Sequence, residues 1–289
     1  MTAEGPPSCF SFEAIGTLWR IDTPGELDAS ARAAVVNVID EYDAVYSRFR
    51  PDSRVRALTS GGTVVLPESG AALGEIYRRL YRLTDGAMSP LVGAPLEHLG
   101  YDAGYSFAPA GPPQPAPAWD GSFEWSGTVL RAKEPVTLDV GAAGKGQLVD
   151  LVSGVLAGAG YPGHTVDAGG DLVHRGPAGL RVALEHPYSA DLAIGVVTVD
   201  NRALCASASN RRRWADGLHH VLDAVTGKCV DTVVATWVLA DDALTADALA
   251  TALFHVQPET LLAEFEFDYV RVASDGRAQY SSPLAGALF

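Results

Sequence analysis

The sequence is poor in cysteine, in cationic side chains and in long apolar runs, and each shortage excludes something. Its three cysteines, Cys9, Cys205 and Cys229, form no close-spaced metal pair. So odd and sparse a count points to a reducing compartment. No apolar run is long enough to span a bilayer, so membrane insertion is not expected. The opening residues, Met1 to Cys9, lack the basic and apolar regions of a signal peptide. A cytoplasmic location is therefore expected, and Cys9 is not expected to be a lipoprotein cysteine. With 21 Lys and Arg against 35 Asp and Glu, the formal net charge is −14, which argues against nucleic acid or an anionic membrane as partner. A phosphate-rich ligand would then need locally concentrated positive charge. A bound cation, Lys145 and the run Arg211-Arg212-Arg213 are three ways to supply it.

Internal repeats are also absent. Residues 108–122, rich in Pro and Ala, are the only low-complexity stretch and are expected to form an extended surface loop. The rest reads as one α+β domain over residues 1–289, because short strands are mixed with few long helices. An opening strand is expected over Phe12 to Ile21. A helix is expected from about Leu27 to Tyr46, with Ala31, Ala34, Val35, Val38, Tyr42, Val45 and Tyr46 on one side. A second helix covers roughly Ser69 to Thr84, with Leu73, Ile76, Leu80 and Leu83 as its stripe, and stops at Asp85-Gly86. Ala87 to Gly93 reads as irregular. A third helix is expected from Gln147 to Ala159, and strands at 166–168, 180–185, 194–199, 203–207 and 233–239.

Thr245-Ala-Asp-Ala-Leu-Ala-Thr251 opens the most informative segment. Leu249, Ala252, Leu253 and Val256 recur at helical spacing, predicting an amphipathic helix with one buried stripe. Thr245 is the expected N-cap, with Asp247 in the first turn, where the helix dipole favours a carboxylate. Asp247 and Thr251 are i and i+4, so an acid and a hydroxyl leave one face. Two hard oxygens suit Mg²⁺, which takes few protein ligands and keeps positions for phosphate oxygens. The plainer alternative is that Asp247 only stabilises the helix start.

Two glycine-rich turns lie upstream. Asp139-Val-Gly-Ala-Ala-Gly-Lys-Gly146 fails the P-loop pattern, because Gly146 rather than Ser or Thr follows Lys145. It also fails the dinucleotide fingerprint. A strand, a glycine turn and a helix start nonetheless bring backbone close to a ligand, with Lys145 as a nearby charge; a simple strand-to-helix connection fits equally well. Asp167-Ala-Gly-Gly-Asp171 reads as a hairpin bend. From Ser207 to Gly227 the polar density is high, with His219 and His220 just before Asp223 and a Thr-Gly turn.

Four segments, in order, resemble the FAD:protein FMN transferase family, the ApbE-type flavin transferases. Leu138-Asp-Val-Gly-Ala-Ala-Gly-Lys-Gly146 is similar to that family's L-D-L-G-G-I-A-K-G, and Val166-Asp-Ala-Gly-Gly-Asp171 to its V-N-x-G-G-D. His220-Val-Leu-Asp-Ala-Val-Thr-Gly227 resembles H-I-x-D-P-x-T-G, and Ala246-Asp-Ala-Leu-Ala-Thr-Ala-Leu-Phe254 resembles A-D-A-x-x-T-A-L-F. The resemblance implies a T-fold-like α+β domain with mixed or antiparallel sheets and flanking helices. It implies transfer of FMN from FAD to a Thr or Ser hydroxyl of an acceptor flavoprotein, with release of AMP. The implied Mg²⁺ ligands are the Asp247 and Thr251 side chains with main-chain oxygens of Ala142 and Ala250. The implied FAD contacts are Asp139, Lys145, the Ala87-Met88-Ser89 segment, His220 and the backbone near Leu222. His220 and Asp247 are the implied catalytic pair; which of them takes the hydroxyl proton stays open. The chain departs from the pattern at Met88-Ser-Pro-Leu91, where F-D-P-T is usual, at Ser207-Ala-Ser-Asn-Arg211, where T-S-G-x-Y is usual, and at Ala224. Two alternatives share the motifs: an FAD pyrophosphatase, and a non-catalytic FAD-binding protein.

Overall fold

The computed structural model describes residues 8–289 apart from Arg211, Asp216 and the side chain of Ala190. The leader reading at Met1–Pro7 and the Arg211 position of the arginine run lie outside the described residues. The expected opening strand is two strands, β1 (Ser8–Ala14) and β2 (Thr17–Thr23). Ile15 and Gly16 both take left-handed φ, +46° and +73°, and turn the chain back in a tight hairpin. Helix α1 (Ala29–Tyr46) follows, capped by Asp28, whose Oδ1 accepts the Ala31 N–H at 2.7 Å. Its buried face is the expected stripe with Ile39 added, while Ala34 and Val38 are half-buried.

Strand β3 (Gly62–Val65) leads to α2 (Gly70–Leu83), whose buried face holds Leu73, Ile76, Tyr77 and Leu80. Residues 90–92 form a 3₁₀ turn that runs into α3 (Gly93–His98), so the segment read as irregular is helical in its second half. The Pro-rich stretch has no regular structure until α4 (Trp119–Ser122), a short helix whose Trp119 is buried. The end of the stretch is thus a short helix anchored in the core by Trp119 rather than surface loop, because an indole buries a large apolar area. Strands β4 (Phe123–Ser126) and β5 (Val129–Ala132) complete a three-stranded sheet with β3.

Helix α5 (Gly144–Gly158) starts three residues before Gln147, inside the glycine-rich turn. Then come β6 (His164–Ala168), β7 (Asp171–Arg175), β8 (Leu180–His186), β9 (Ser189–Val199) and β10 (Ala203–Ala208). The short pair β11 (Arg213–Trp214) and β12 (Leu218–His219) precedes β13 (Val233–Ala240). Helices α6 (Ala243–Ala252) and α7 (Pro258–Leu262) are followed by β14 (Asp268–Ala273) and β15 (Ala278–Tyr280).

The central sheet runs β1-β2-β6-β7-β10-β13-β14-β15, antiparallel at every step. Alternation along the strands sends side chains to two cores. Cys205, Val238 and Ala240 face the helices α1, α2, α5 and α6, whereas Leu204, Trp237 and Leu239 face the β8–β9 ribbon. No helix of the described residues is long and apolar enough to cross a membrane.

Helix α6 departs most from its sequence reading. It packs against α2, α5, β7, β10 and β13 at once, and Ala243, Ala246, Ala248, Ala250 and Ala252 are all buried with Leu249. Its burial extends well beyond one stripe, with only Leu244, Thr245 and Thr251 half-buried. Small alanines permit that: they allow neighbouring backbones to approach on several sides while keeping high helix propensity.

Candidate active site

The N-terminus of α6 is held by two acids, neither of them Thr245's hydroxyl. Asp242 is the N-cap, its Oδ1 accepting the Thr245 N–H at 2.7 Å. Asp150, reaching across from α5, accepts the Ala243 and Leu244 N–H groups at 2.9 and 2.8 Å. The cap therefore lies three residues before the expected one, and Asp247 sits in the second turn. A carboxylate is a stronger acceptor than a hydroxyl for unpaired helix N–H groups, which is why Asp242 takes this place.

Burial pushes the Asp150 carboxyl up to about 6, against the pull of its two backbone donors. The folded protein thus keeps this proton up to about pH 6, whereas the unfolded chain loses it near the model-peptide value. Folding takes up a proton between those values, so the contribution of Asp150 to stability falls as pH rises from about 4 to about 6 and is flat above. Asp150→Asn is expected to remove that slope. Denaturant midpoints at pH 4.5 and pH 7 should show the native protein losing on the order of 2 kcal/mol more than the variant over this interval.

Asp247 is only 4% exposed. Its Oδ2 accepts the Gly146 N–H at 2.8 Å, one of the unpaired donors of the first turn of α5. The favourable helix dipole at Asp247 is therefore that of α5, not of its own helix. Burial, then the negative charge of Asp171, push Asp247 up to about 8, while Lys145 and the Gly146 N–H pull the other way. Lys145 forms a buried ion pair with Asp171, which is fully enclosed and accepts the Ala206 N–H at 3.3 Å. One turn along α6, the Thr251 hydroxyl stands 3.4 Å from the Ser207 hydroxyl.

Asp247, Thr251 and Lys145 all line one cavity of about 880 Å³, together with Asp139, Ala142 and His220. That volume lies within the range of small-molecule sites. Asp139 is held by the Arg48 guanidinium, Nε to Oδ2 at 2.5 Å, and by the Gly141 N–H at 2.7 Å. Burial opposes its ionisation, but Arg48 and the Gly141 N–H prevail and keep it below the usual carboxylate range. His220 has an unpaired, buried Nδ1. Burial first, then the charges of Arg212 and His219, push it down to about 3, so the imidazole is neutral. Met88, Ser89 and Leu222 also line the cavity. Ala87 does not; its carbonyl accepts the Ala224 N–H at 2.9 Å and ties the 87–89 segment to the stretch after His220. Asp223 works locally, its Oδ1 accepting the Val225 and Thr226 N–H groups at 2.8 and 3.0 Å to make the turn. The Pro-rich stretch straps over this turn, Ala116 donating to the Ala224 carbonyl at 2.8 Å.

Among the described residues no cluster of three His, Cys, Asp or Glu side chains could hold a metal. The donors that do face the cavity are an acid, an alcohol and a main-chain segment at Ala142, a hard-oxygen set that suits Mg²⁺ rather than a softer ion. Burial and the Asp171 charge hold the Asp247 carboxyl toward its protonated form, and a cation beside it would oppose both. Ala250 is different: it is fully buried, is not among the cavity-lining residues, and its carbonyl accepts the Thr236 hydroxyl at 2.7 Å.

The sequence model of the ApbE family matches residues 15–271 of this chain. The chain belongs to the ApbE family. A Rhodobacter capsulatus protein named FAD:protein FMN transferase is 27% identical over 277 residues, covering 88% of this chain and 52% of that protein. The ApbE-family chain thus spans about half the length of that relative. A Vibrio cholerae FAD:protein FMN transferase is 25% identical, over 91% of this chain and 86% of that one. Among solved structures, the ApbE protein from Thermotoga maritima superposes with a TM-score of 0.84 at 23% identity, covering 98% and 99% of the two chains. The flavin transferase ApbE from Vibrio cholerae gives 0.78 at 20%, with the same coverage. These likenesses establish the fold, an antiparallel α+β architecture, as expected from the sequence.

Four features of the site escaped sequence reasoning. Arg48, Tyr101 and His255 also line the cavity of this ApbE-family chain, and Asp150 supports it from α5. Arg48 stands in the polar stretch Ser47-Arg-Phe-Arg-Pro-Asp-Ser53, but nothing local marks it as the partner of Asp139. His255 has an unpaired Nδ1, and burial pushes it down to about 4.

Proposed function

We propose that this protein transfers FMN from FAD to a Thr or Ser hydroxyl of an acceptor flavoprotein, releasing AMP, with Mg²⁺ as the metal. The observation that carries the reading is convergence: Asp139, Lys145, His220 and the Asp247–Thr251 pair come from three separate stretches of chain and meet on one cavity. The similarity to proteins named FAD:protein FMN transferase supports it.

In this reading Asp247, Thr251 and the Ala142 carbonyl hold Mg²⁺, which when bound neutralises charge on the diphosphate and on the departing AMP. The acceptor oxygen forms a bond to the FMN-side phosphorus. The bond from that phosphorus to the bridging oxygen breaks, and AMP leaves with that oxygen and its electron pair. The hydroxyl proton is lost to solvent. Such a displacement is governed by positioning and charge more than by covalent help. Lys145, fixed by Asp171, keeps a cation at the cavity wall. His220, neutral with a free Nδ1, accepts the hydroxyl's hydrogen bond and orients it; with a value near 3 it is too weak a base to store the proton.

Mass spectrometry of the nucleotide products tests this. FAD incubated with Mg²⁺ and a competent acceptor should yield AMP and an acceptor heavier by one esterified FMN residue (FMN less the elements of water), and chelation should stop both. FMN appearing free, equally with and without acceptor, would show a pyrophosphatase instead. Intact FAD under all conditions would show a binding protein.

A further inference from the structure

Two arginines meet at the Tyr101 ring on the cavity wall. The Arg48 Cζ stands 4.9 Å from the Tyr101 ring centroid and 4.1 Å from that of Phe49. The Arg212 Cζ stands 6.0 Å from the Tyr101 centroid, and its Nη1 donates to the Tyr101 hydroxyl at 2.8 Å. Both arginines line the cavity. Arg48 is only 3% exposed, yet its Nη1 and Nη2 have no hydrogen-bond partner; Nη1 lies 3.7 Å from a Glu97 oxygen, an ion pair without a hydrogen bond. Its Nε is spent on Asp139. Buried guanidinium N–H groups are rarely left unpaired in a finished protein. Here the unpaired pair belongs to a residue of the cavity wall.

Arg212 is exposed and, among the described residues, has no carboxylate partner. Its backbone is not loose, because the neighbouring Trp214 is fastened by its indole N–H to the Leu99 carbonyl at 2.7 Å and stacks on Tyr101 at 5.4 Å. In a chain of net charge −14, a held but unpaired guanidinium on a cavity wall is a conspicuous exception.

We infer that Arg48 and Arg212, joined through the Tyr101 ring, form an anion seat that holds a phosphate group of the dinucleotide against the aromatic wall. The inference rests on the proposed function for its ligand. The planar fork of arginine matches two phosphate oxygens at once, and its flat face stacks on an aromatic ring, as both do here. Asp139 and Glu97 stand against Arg48, and Arg56 pairs with the same Glu97, so three guanidinium groups face two carboxylates and the seat keeps about one unit of positive charge for its ligand. The Arg211-Arg212-Arg213 run, read from sequence as one source of local positive charge, contributes through Arg212.

Titration calorimetry of FAD, FMN and AMP against the full chain, with Mg²⁺ present, tests the seat in the native protein, Arg212→Ala and Arg48→Lys. Arg212→Ala alters an exposed side chain and should fold normally. Arg48→Lys keeps a positive charge near Asp139 but removes the two-pronged fork together with the Nε hydrogen bond to Asp139, and its melting temperature reports whether it folds. Each variant is expected to bind FAD about tenfold more weakly. For Arg212→Ala the deficit should shrink at high salt. A deficit repeated with FMN places the flavin-side phosphate in the seat, and one repeated with AMP places the adenylate phosphate there. Arg212→Ala binding FAD as tightly as the native protein overturns the inference. So does unchanged FAD affinity with weakened use of the acceptor, which would assign Arg212 to the protein partner. If the native protein itself does not bind FAD, the proposed function falls, and the seat with it.

Discussion

Asp247→Ala is expected to lower FMN transfer by about a thousandfold or more, because it removes the one charged donor of the proposed cation site. No neighbour can substitute. Asp139 is engaged by Arg48 and Asp171 by Lys145, so each would have to abandon a buried cation first. The fold should survive the change. The carboxyl is buried and, without a cation, pushed up to about 8 by burial and by Asp171, so its removal relieves a conflict even as the Gly146 N–H loses its acceptor. Thermal melting of the metal-free variant should lie close to that of the native protein, while rate measurements by product mass spectrometry show the collapse. A variant retaining a tenth or more of native transfer would sink the role assigned to Asp247.

Gly146→Ala carries the largest expected loss of stability. A Cβ at this position would lie 2.0 Å from the Ala243 carbonyl oxygen and 2.7 Å from the Asp247 Cβ. The closer obstacle is backbone, so no rotamer change relieves it; α5 and α6 must separate. That costs about 3 kcal/mol or more, with a fall in melting temperature of several degrees. Separation also breaks the Gly146–Asp247 hydrogen bond and moves the two cavity oxygens of α6, so transfer should fall with stability. Gly154 provides the control, since it lies on the same helix and a Cβ there meets nothing within 4 Å. Gly154→Ala should stabilise by about 0.5–1 kcal/mol through helix propensity alone. If Gly146→Ala melts within a degree or two of the native protein, the flush contact between the helices is not what sets their spacing.

The outer helices were legible because their faces differ. In α1 and α2 a half-exposed surface forces polar and apolar residues to alternate at 3.6-residue spacing, and that alternation can be counted. Helix α6 defeats the same method. Its other alanines read as neutral beside the stripe of Leu249, Ala252, Leu253 and Val256, whereas Ala243, Ala246, Ala248 and Ala250 are buried as well. The start of α5 failed for a related reason. Glycines at 144 and 146 argue against a helix locally; only the close approach of Tyr42 on α1 to the first, and of α6 to the second, makes them necessary there. The hairpin at Ile15-Gly16 was missed because Ile rarely adopts the left-handed conformation it takes here.

From the sequence alone came the α+β class, the outer helices and the polar residues at fixed spacing: the acid and alcohol one turn apart on α6, the glycine turn before Lys145, and the histidine before the Thr-Gly turn. These depend on residues within a few positions of one another, which local periodicity and turn chemistry report. Tertiary structure alone decided how each one behaves. It set Asp247 against an N–H 101 positions earlier, gave Arg48 to Asp139 across 91 positions, and left two buried guanidinium N–H groups beside an open cavity. Charge and burial act through space, and the distances that govern them exist only once the chain has folded.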